Sequence, residues 1–254
     1  MAGQVRQKSR ALTLLPPDLN WCIFTDDDLF FAETAISKAV EATQYQECWP
    51  VIGVGFALPP KSRIATMPPI IKWISRRVGL GGKKPGAVLP SGQGINYLHV
   101  SSLQKTEWLN GVSMWKYPEV LSYVNELPSS DYAACEDLIF SYSQRKKGVL
   151  LFAPAAKVSY QDEVVTNPES PKVFVSAAYW RLLFVRRHEE LSVGRFYVAQ
   201  LSRTLYAVAF NGLKYKKVYL KSFFYLLKDS RSCLDEDCLF LKMQKRIRQL
   251  ETSR

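Results

Sequence analysis

Short apolar runs bounded by charge, proline or glycine fill the first two thirds of the chain, and long mixed apolar and basic stretches fill the rest. RALTLLPPDLN predicts a helix ending at Pro16-Pro17, because proline lacks the amide proton a helix requires. WCIFT then predicts a short buried strand. DDDLFFAETAISKAVEATQ predicts a helix with acids at its N-terminus, where the helix dipole favours them. PVIGVGFAL predicts a second apolar strand. TEWLNGVSMWKY reads as a strand, a glycine turn and the start of a helix, and CEDLIFSYSQRKKG as a helix closed by Gly148. VLLFAPAAKVSY predicts a strand, a turn marked by proline, and a further strand. Residues 59–94 read as a long Pro/Gly-rich loop. Within it Ile70, Trp73, Ile74 and Val78 recur at helical spacing.

Beyond Pro171 the pattern changes to long helical stretches such as VSAAYWRLLFVRRHEEL and GRFYVAQLSRTLYAVAF. Alternating strands and helices before this point imply an α/β layer. The expected organisation is therefore an α/β core over residues 1–170 and a basic, aromatic helical tail over residues 171–254. Sites in such sheets form at the carboxyl ends of strands, which is where Asp26, Asp27 and Asp28 fall.

Composition is that of an ordinary globular chain, with 47% hydrophobic and 22% charged residues among 254. The net charge of +11 predicts an anionic partner. No Asp or Glu occurs from Cys48 to Thr106, whereas Lys61, Arg63, Lys72, Arg76, Arg77, Lys83 and Lys84 cluster there. GLGGKKPG lacks the spacing of a nucleotide-binding P-loop. Five cysteines with no CxxC pair argue against a disulfide framework and for a reducing compartment. MAGQVRQKSR carries no apolar secretory segment, and no apolar run reaches the ~18 residues that span a bilayer. The expected location is cytoplasmic, with a peripheral position on the inner face of the plasma membrane as an extension.

Two acidic groups stand out against this basic background. Asp26–Asp28 follow an apolar strand, and adjacent carboxylates become tolerable when they hold a hard cation shared with substrate phosphates. The competing reading is an acidic helix start that merely complements the dipole. Glu136-Asp137 open a helix, from which one carboxylate aimed into a cleft serves as a general base; solvated capping is the competing reading.

Taken in order, the strand-end DDD, LPSGQG, WLNGVSMWK and CEDLIFSYSQRKKGVLLFAPAAKVSYQDE resemble family 2 glycosyltransferases, particularly bacterial sugar transferases of surface-polysaccharide assembly. GQVRQKSRALTLLPPDLNWCIFTDDDL is similar to the family segment that leads into its aspartate motif, and AYWRLLFVRRHE to its basic helical tail. The resemblance implies a GT-A fold (the nucleotide-diphospho-sugar transferase fold), a Rossmann-like sheet with a helical C-terminal tail. It also implies an inverting, metal-dependent transfer of a sugar from a nucleotide-sugar donor to a saccharide or lipid-linked acceptor.

Residue by residue, the resemblance makes Asp26 and Asp28 the ligands of Mn²⁺ or Mg²⁺, with Asp27 as an alternative ligand that also meets the donor. Arg6, Gln7 and Lys8 would approach the nucleotide-sugar. Asn110 and Gly111 would line the donor and acceptor pocket, and Trp115 would stack on a sugar face. Asp137 would be the catalytic base and Glu136 its orienting neighbour.

Two departures accompany it. The chain opens where the family is already in mid-domain, which implies an incomplete, N-terminally truncated core and an inactive chain as one outcome. Tyr160 stands near the position where the family often has a metal-binding histidine, whereas His99 and His188 lie elsewhere.

Two further alternatives follow from the charge. Aromatic residues interleaved with Arg and Lys in the tail suit an anionic membrane surface or, equally, a helical cap with a solvated basic side. A non-catalytic scaffold or basic binding module is the competing function. No helix-turn-helix, zinc-finger or RNP pattern is present, so nucleic acid is not an expected partner.

Overall fold

The computed structural model describes residues 4–46, 48–59, 84–97, 100–123, 134–161, 170–210, 215–233 and 235–252. The helical spacing expected at residues 70–78 and the strand expected at His99 lie outside them.

The elements run α1 (Gln4–Thr13), β1 (Trp21–Phe24), β2 (Leu29–Phe31), α2 (Ala35–Thr43), β3 (Val51–Ala57), β4 (Gln104–Thr106) and β5 (Ser113–Lys116). They continue as α3 (Glu136–Gln144), β6 (Val149–Tyr160), α4 (Pro171–Arg187), α5 (Val193–Phe210), α6 (Lys216–Ser232) and α7 (Glu236–Thr252). The fold is mixed α/β. One six-stranded sheet has the order β1-β5-β3-β6-β2, with β4 also paired to β6. Among the described residues only β3 and β6 are parallel; β5 is inserted antiparallel between β1 and β3.

Alternation along the strands builds two core layers. Val51, Val54, Phe56, Met114 and Leu151 pack with Ala35, Ala39 and Ala42 of α2 on one face. Ile52, Trp115 and Leu150 pack on the other face with Val5 and Leu12 of α1, Leu138 and Phe140 of α3, and the apolar residues of α4. That second core runs without a break from α1 to Met243 of α7, so α4 and α7 share it with the residues before 170. No helix among the described residues is long and apolar enough to cross a membrane.

Four sequence expectations change. Residues Asp26–Asp28 do not begin a helix: Leu29–Phe31 form β2 against Phe31's partner Val158 and Leu29's partner Tyr160, and α2 starts only at Ala35. WCIF is a half-buried edge strand rather than a buried one, because only β5 pairs with it. SMWK is a buried strand rather than a helix start, since both its edges find ladder partners. VLLFAPAAKVSY is one 12-residue strand. The proline falls where the β3–β6 register shifts from Phe56↔Ala153 to Ala57↔Lys157, an irregularity that removes the need for its missing N–H.

The tail starts as its sequence dictates, with Pro171 in the first turn of α4 and the Ser170 hydroxyl accepting from the Val173 amide at 3.3 Å. Many of its aromatic residues are core: Tyr179, Trp180, Phe184, Phe196, Tyr219 and Phe223 are buried, whereas Tyr206, Phe224 and Tyr225 are exposed. The buried Asp229 ties the helices together. It accepts from the Tyr179 hydroxyl at 2.6 Å and from Arg246 Nε and Nη2, both at 3.0 Å. Burial alone would raise this carboxyl, but those hydrogen bonds hold it below the usual range. Contrary to the cysteine-count expectation, Cys233 and Cys238 form a disulfide across the α6–α7 turn, because their sequence separation of 5 brackets that turn.

Candidate functional site

The carboxyl end of β1 and the turn before β5 meet above the start of α3. Three anchors fix that turn. The Leu109 amide donates to Ser141 Oγ of α3 at 2.9 Å, Asn110 Nδ2 donates to the Phe56 carbonyl at 3.0 Å, and the Phe56 amide donates to the Val112 carbonyl at 3.2 Å. Leu109 can lie flat on β3 because Gly53 has no Cβ; one built there would stand 2.8 Å from Leu109 Cδ1. A Cβ on Gly111, by contrast, meets nothing within 4 Å. Gly111 faces open space.

Helix α3 opens on a strained residue. Cys135 is left-handed, with φ 67° and ψ 24°, a conformation that disfavours any side chain and is found at sites over-determined by their surroundings. It turns the chain so that Glu136 and Asp137 enter the first helical turn with different surroundings. Glu136 is 5% exposed and its Oε1 lies 2.5 Å from Lys8 Nζ of α1. The same ammonium stands 5.2 Å from the Phe24 ring centroid and 6.0 Å from that of Tyr123. Asp137 lines a cleft together with Lys8. Its Oδ1 accepts from the Leu138 amide at 2.8 Å, and burial pushes its carboxyl up to about 6. The Glu136 charge raises it further, while the Leu138 hydrogen bond and Lys8 pull it back.

This narrow cleft is lined by Lys8, Asn110, Gly111, Trp115 and Asp137, five of the residues singled out in the sequence. Phe24, Ser113, Tyr123 and Phe140 complete its wall. Asn110 Oδ1 is buried with no hydrogen-bond partner among the described residues, whereas the buried Tyr123 hydroxyl interacts with the Glu136 carboxylate. An unpaired group such as Asn110 Oδ1 costs about 1–3 kcal/mol unless a ligand or solvent supplies the bond. Burial and then the Glu136 charge hold the Tyr123 phenol far above its ordinary pKa, so it remains a donor. The cleft thus combines aromatic walls with a hydroxyl donor, an amide oxygen and a titrating carboxylate.

The remaining sequence candidates lie around this cleft. Arg6 and Gln7 are exposed on α1, and the cleft lining includes neither. Trp115 is 2% exposed, packs on Phe140 with ring centroids 4.7 Å apart and donates its indole N–H to Ser113 Oγ at 2.8 Å. It forms part of the wall. Asp26, Asp27 and Asp28 are exposed on the β1–β2 turn, beside the cleft rather than in its lining. Asp26 follows the lining residue Phe24 by two positions, which places their Cα atoms at most about 7.6 Å apart. The Asp28 carbonyl accepts from the Gln161 amide at 2.8 Å, so Tyr160 lies beside the triplet.

Because α2 begins at Ala35, the helix dipole does not account for the three carboxylates. Among the described residues no three His, Cys, Asp or Glu side chains gather into a metal cage. A scan against protein-family models finds no match, and a search of curated proteins finds no significant one.

The sequence reading missed Ser141, Tyr123, Phe24 and Phe140. Ser141 carried a usable signal, since it follows Asp137 by four residues and shares its helix face. It donates to the Asp137 carbonyl at 2.5 Å and is fully buried. Ser141→Ala leaves the buried Leu109 amide without an acceptor, and a loss of about 2 kcal/mol in urea unfolding is the expected result.

Proposed function

We propose that this protein is an inverting, metal-dependent glycosyltransferase of the GT-A type. It takes a sugar from a nucleotide-sugar and passes it to a saccharide or lipid-linked acceptor. The observation that carries this reading is the shared cleft: Lys8, Asn110-Gly111 and Asp137, from three distant segments, line one pocket.

In this reading Asp137 takes the proton of an acceptor hydroxyl. The freed oxygen attacks the anomeric carbon, and the bond from that carbon to the diphosphate oxygen breaks with its electron pair. A carboxyl near 6 is ionised at neutral pH yet more basic than an ordinary aspartate, which suits a general base. Lys8 neutralises Glu136, so Asp137 can ionise without a second uncompensated charge beside it. Asn110 Oδ1 and the Tyr123 hydroxyl orient sugar hydroxyls. Mn²⁺ or Mg²⁺ held by Asp26 and Asp28 would supply positive charge to the departing diphosphate.

Titration calorimetry with UDP- and GDP-sugars tests the reading. Binding is expected only with Mn²⁺ or Mg²⁺ present, and the Asp26→Asn/Asp28→Asn double variant is expected to lose it. Metal-independent binding, binding that survives the double variant, or no binding of any nucleotide-sugar would refute it.

A further inference from the structure

The outward faces of α5 and α6 are not explained by the cleft. On α5, Val198, Leu201 and Leu205 follow at helical spacing and are 52%, 42% and 54% exposed. On α6, which packs against α5, Leu220 and Phe224 are 37% and 64% exposed. Lys217, Lys221 and Lys228 share their side of the helix and are exposed too. No Asp or Glu occurs from Leu191 to Lys228. A soluble helix normally hides its apolar stripe and shows its charges; here both lie outward.

We infer that the α5–α6 face is a docking surface for an anionic lipid bilayer. Apolar side chains enter the acyl boundary while lysines beside them meet acidic headgroups, as in helices that lie in the plane of an interface. On α5 the apolar ridge from Val198 to Leu205 runs for two helical turns, about 10 Å. Charge selects this occupant over a second copy of the chain. A two-fold dimer through this face would set lysines against lysines with no acid to offset them. The inference does not depend on the glycosyltransferase reading, since it uses none of the cleft residues.

Flotation with phosphatidylcholine vesicles, with and without phosphatidylglycerol, tests it on the full chain. Association is expected with phosphatidylglycerol only, and to weaken as salt rises. Each of Lys217→Gln, Lys221→Gln and Lys228→Gln is expected to weaken it roughly fivefold. Phe224→Ser is expected to reduce it as well. A Phe224→Trp variant reports insertion directly: its added fluorescence, relative to the parent chain, shifts to the blue on anionic vesicles. Association equal on neutral vesicles, no association, unchanged association in the lysine variants, or an unshifted Trp signal would each overturn the proposal. So would concentration-dependent dimerisation through this face that the same variants abolish.

Discussion

Asp137→Asn is expected to lower the rate of sugar transfer by about 10²- to 10⁴-fold, the usual worth of a positioned base. The rate is followed as nucleoside diphosphate released from whichever nucleotide-sugar the chain binds. Asn keeps an oxygen for the Leu138 amide, so the loss reports the missing proton acceptor rather than a collapsed turn. The wild-type rate should rise with pH and level off above about 6, following ionisation of the base, and the variant should show no such rise. The same substitution should stabilise the fold in alkali. The folded carboxyl titrates near 6 against an ordinary 3.8, so between those values the folded state keeps a proton that the unfolded chain has released. Its stabilising contribution is full below the lower value and is lost as pH rises through the upper one. Asn never ionises and escapes that loss. At pH 8 the variant is expected to be more stable by about 2 kcal/mol, read from urea unfolding, and to lose the advantage below pH 4. A less stable variant at pH 8 would show that Asp137 is held by contacts rather than burdened by burial.

Lys8→Met should destabilise the protein more than any other single change at the cleft. It leaves the carboxylate of Glu136, itself 5% exposed, with no cation, and breaking one side of a buried pair costs about 3–5 kcal/mol. Burial of the methionine stem against Phe24 and Tyr123 preserves the apolar packing, which confines the effect to charge. Adding Glu136→Gln should restore most of the lost stability, a coupling that a double-mutant cycle measures directly. Lys8 also lowers the Asp137 carboxyl, so its removal should move the acid limb of the pH–rate profile upward. Additive losses in the cycle would mean that the two residues act separately.

How much of this could be read in the chain depended on the range of the forces involved. Local signals carried well. Proline punctuation ended α1 and began α4, the VIGVGF run gave β3, and Glu136-Asp137 marked α3. Elements decided by a distant partner were misread. Leu29–Phe31 continue smoothly into a helical pattern, and only the far end of β6 makes them a strand. Ser113–Lys116 similarly become a strand because β1 and β3 flank them. β propensity reflects such neighbours more than the residue itself.

The site divides in the same way. Residue type singled out Asp137, and the family resemblance alone brought in Asn110, Gly111 and Lys8; these four line the cleft. The pairing of Lys8 with Glu136, 128 residues apart, has no local trace. Nor does Tyr123, whose place depends on packing against Phe24 and Phe140.

The central claim is that the Asp26–Asp28 turn and the Asp137 cleft serve one bound donor. Paramagnetic broadening by Mn²⁺ in the presence of UDP or GDP, read on backbone amide NMR signals, tests it most directly. If the two acid groups share a ligand, the amides of Asp26–Asp28, Gly111 and Asp137 should broaden together, leaving those of α5 sharp, and Asp26→Asn/Asp28→Asn should abolish the effect. Broadening that is confined to the β1–β2 turn, or that survives the double variant, would contradict the account.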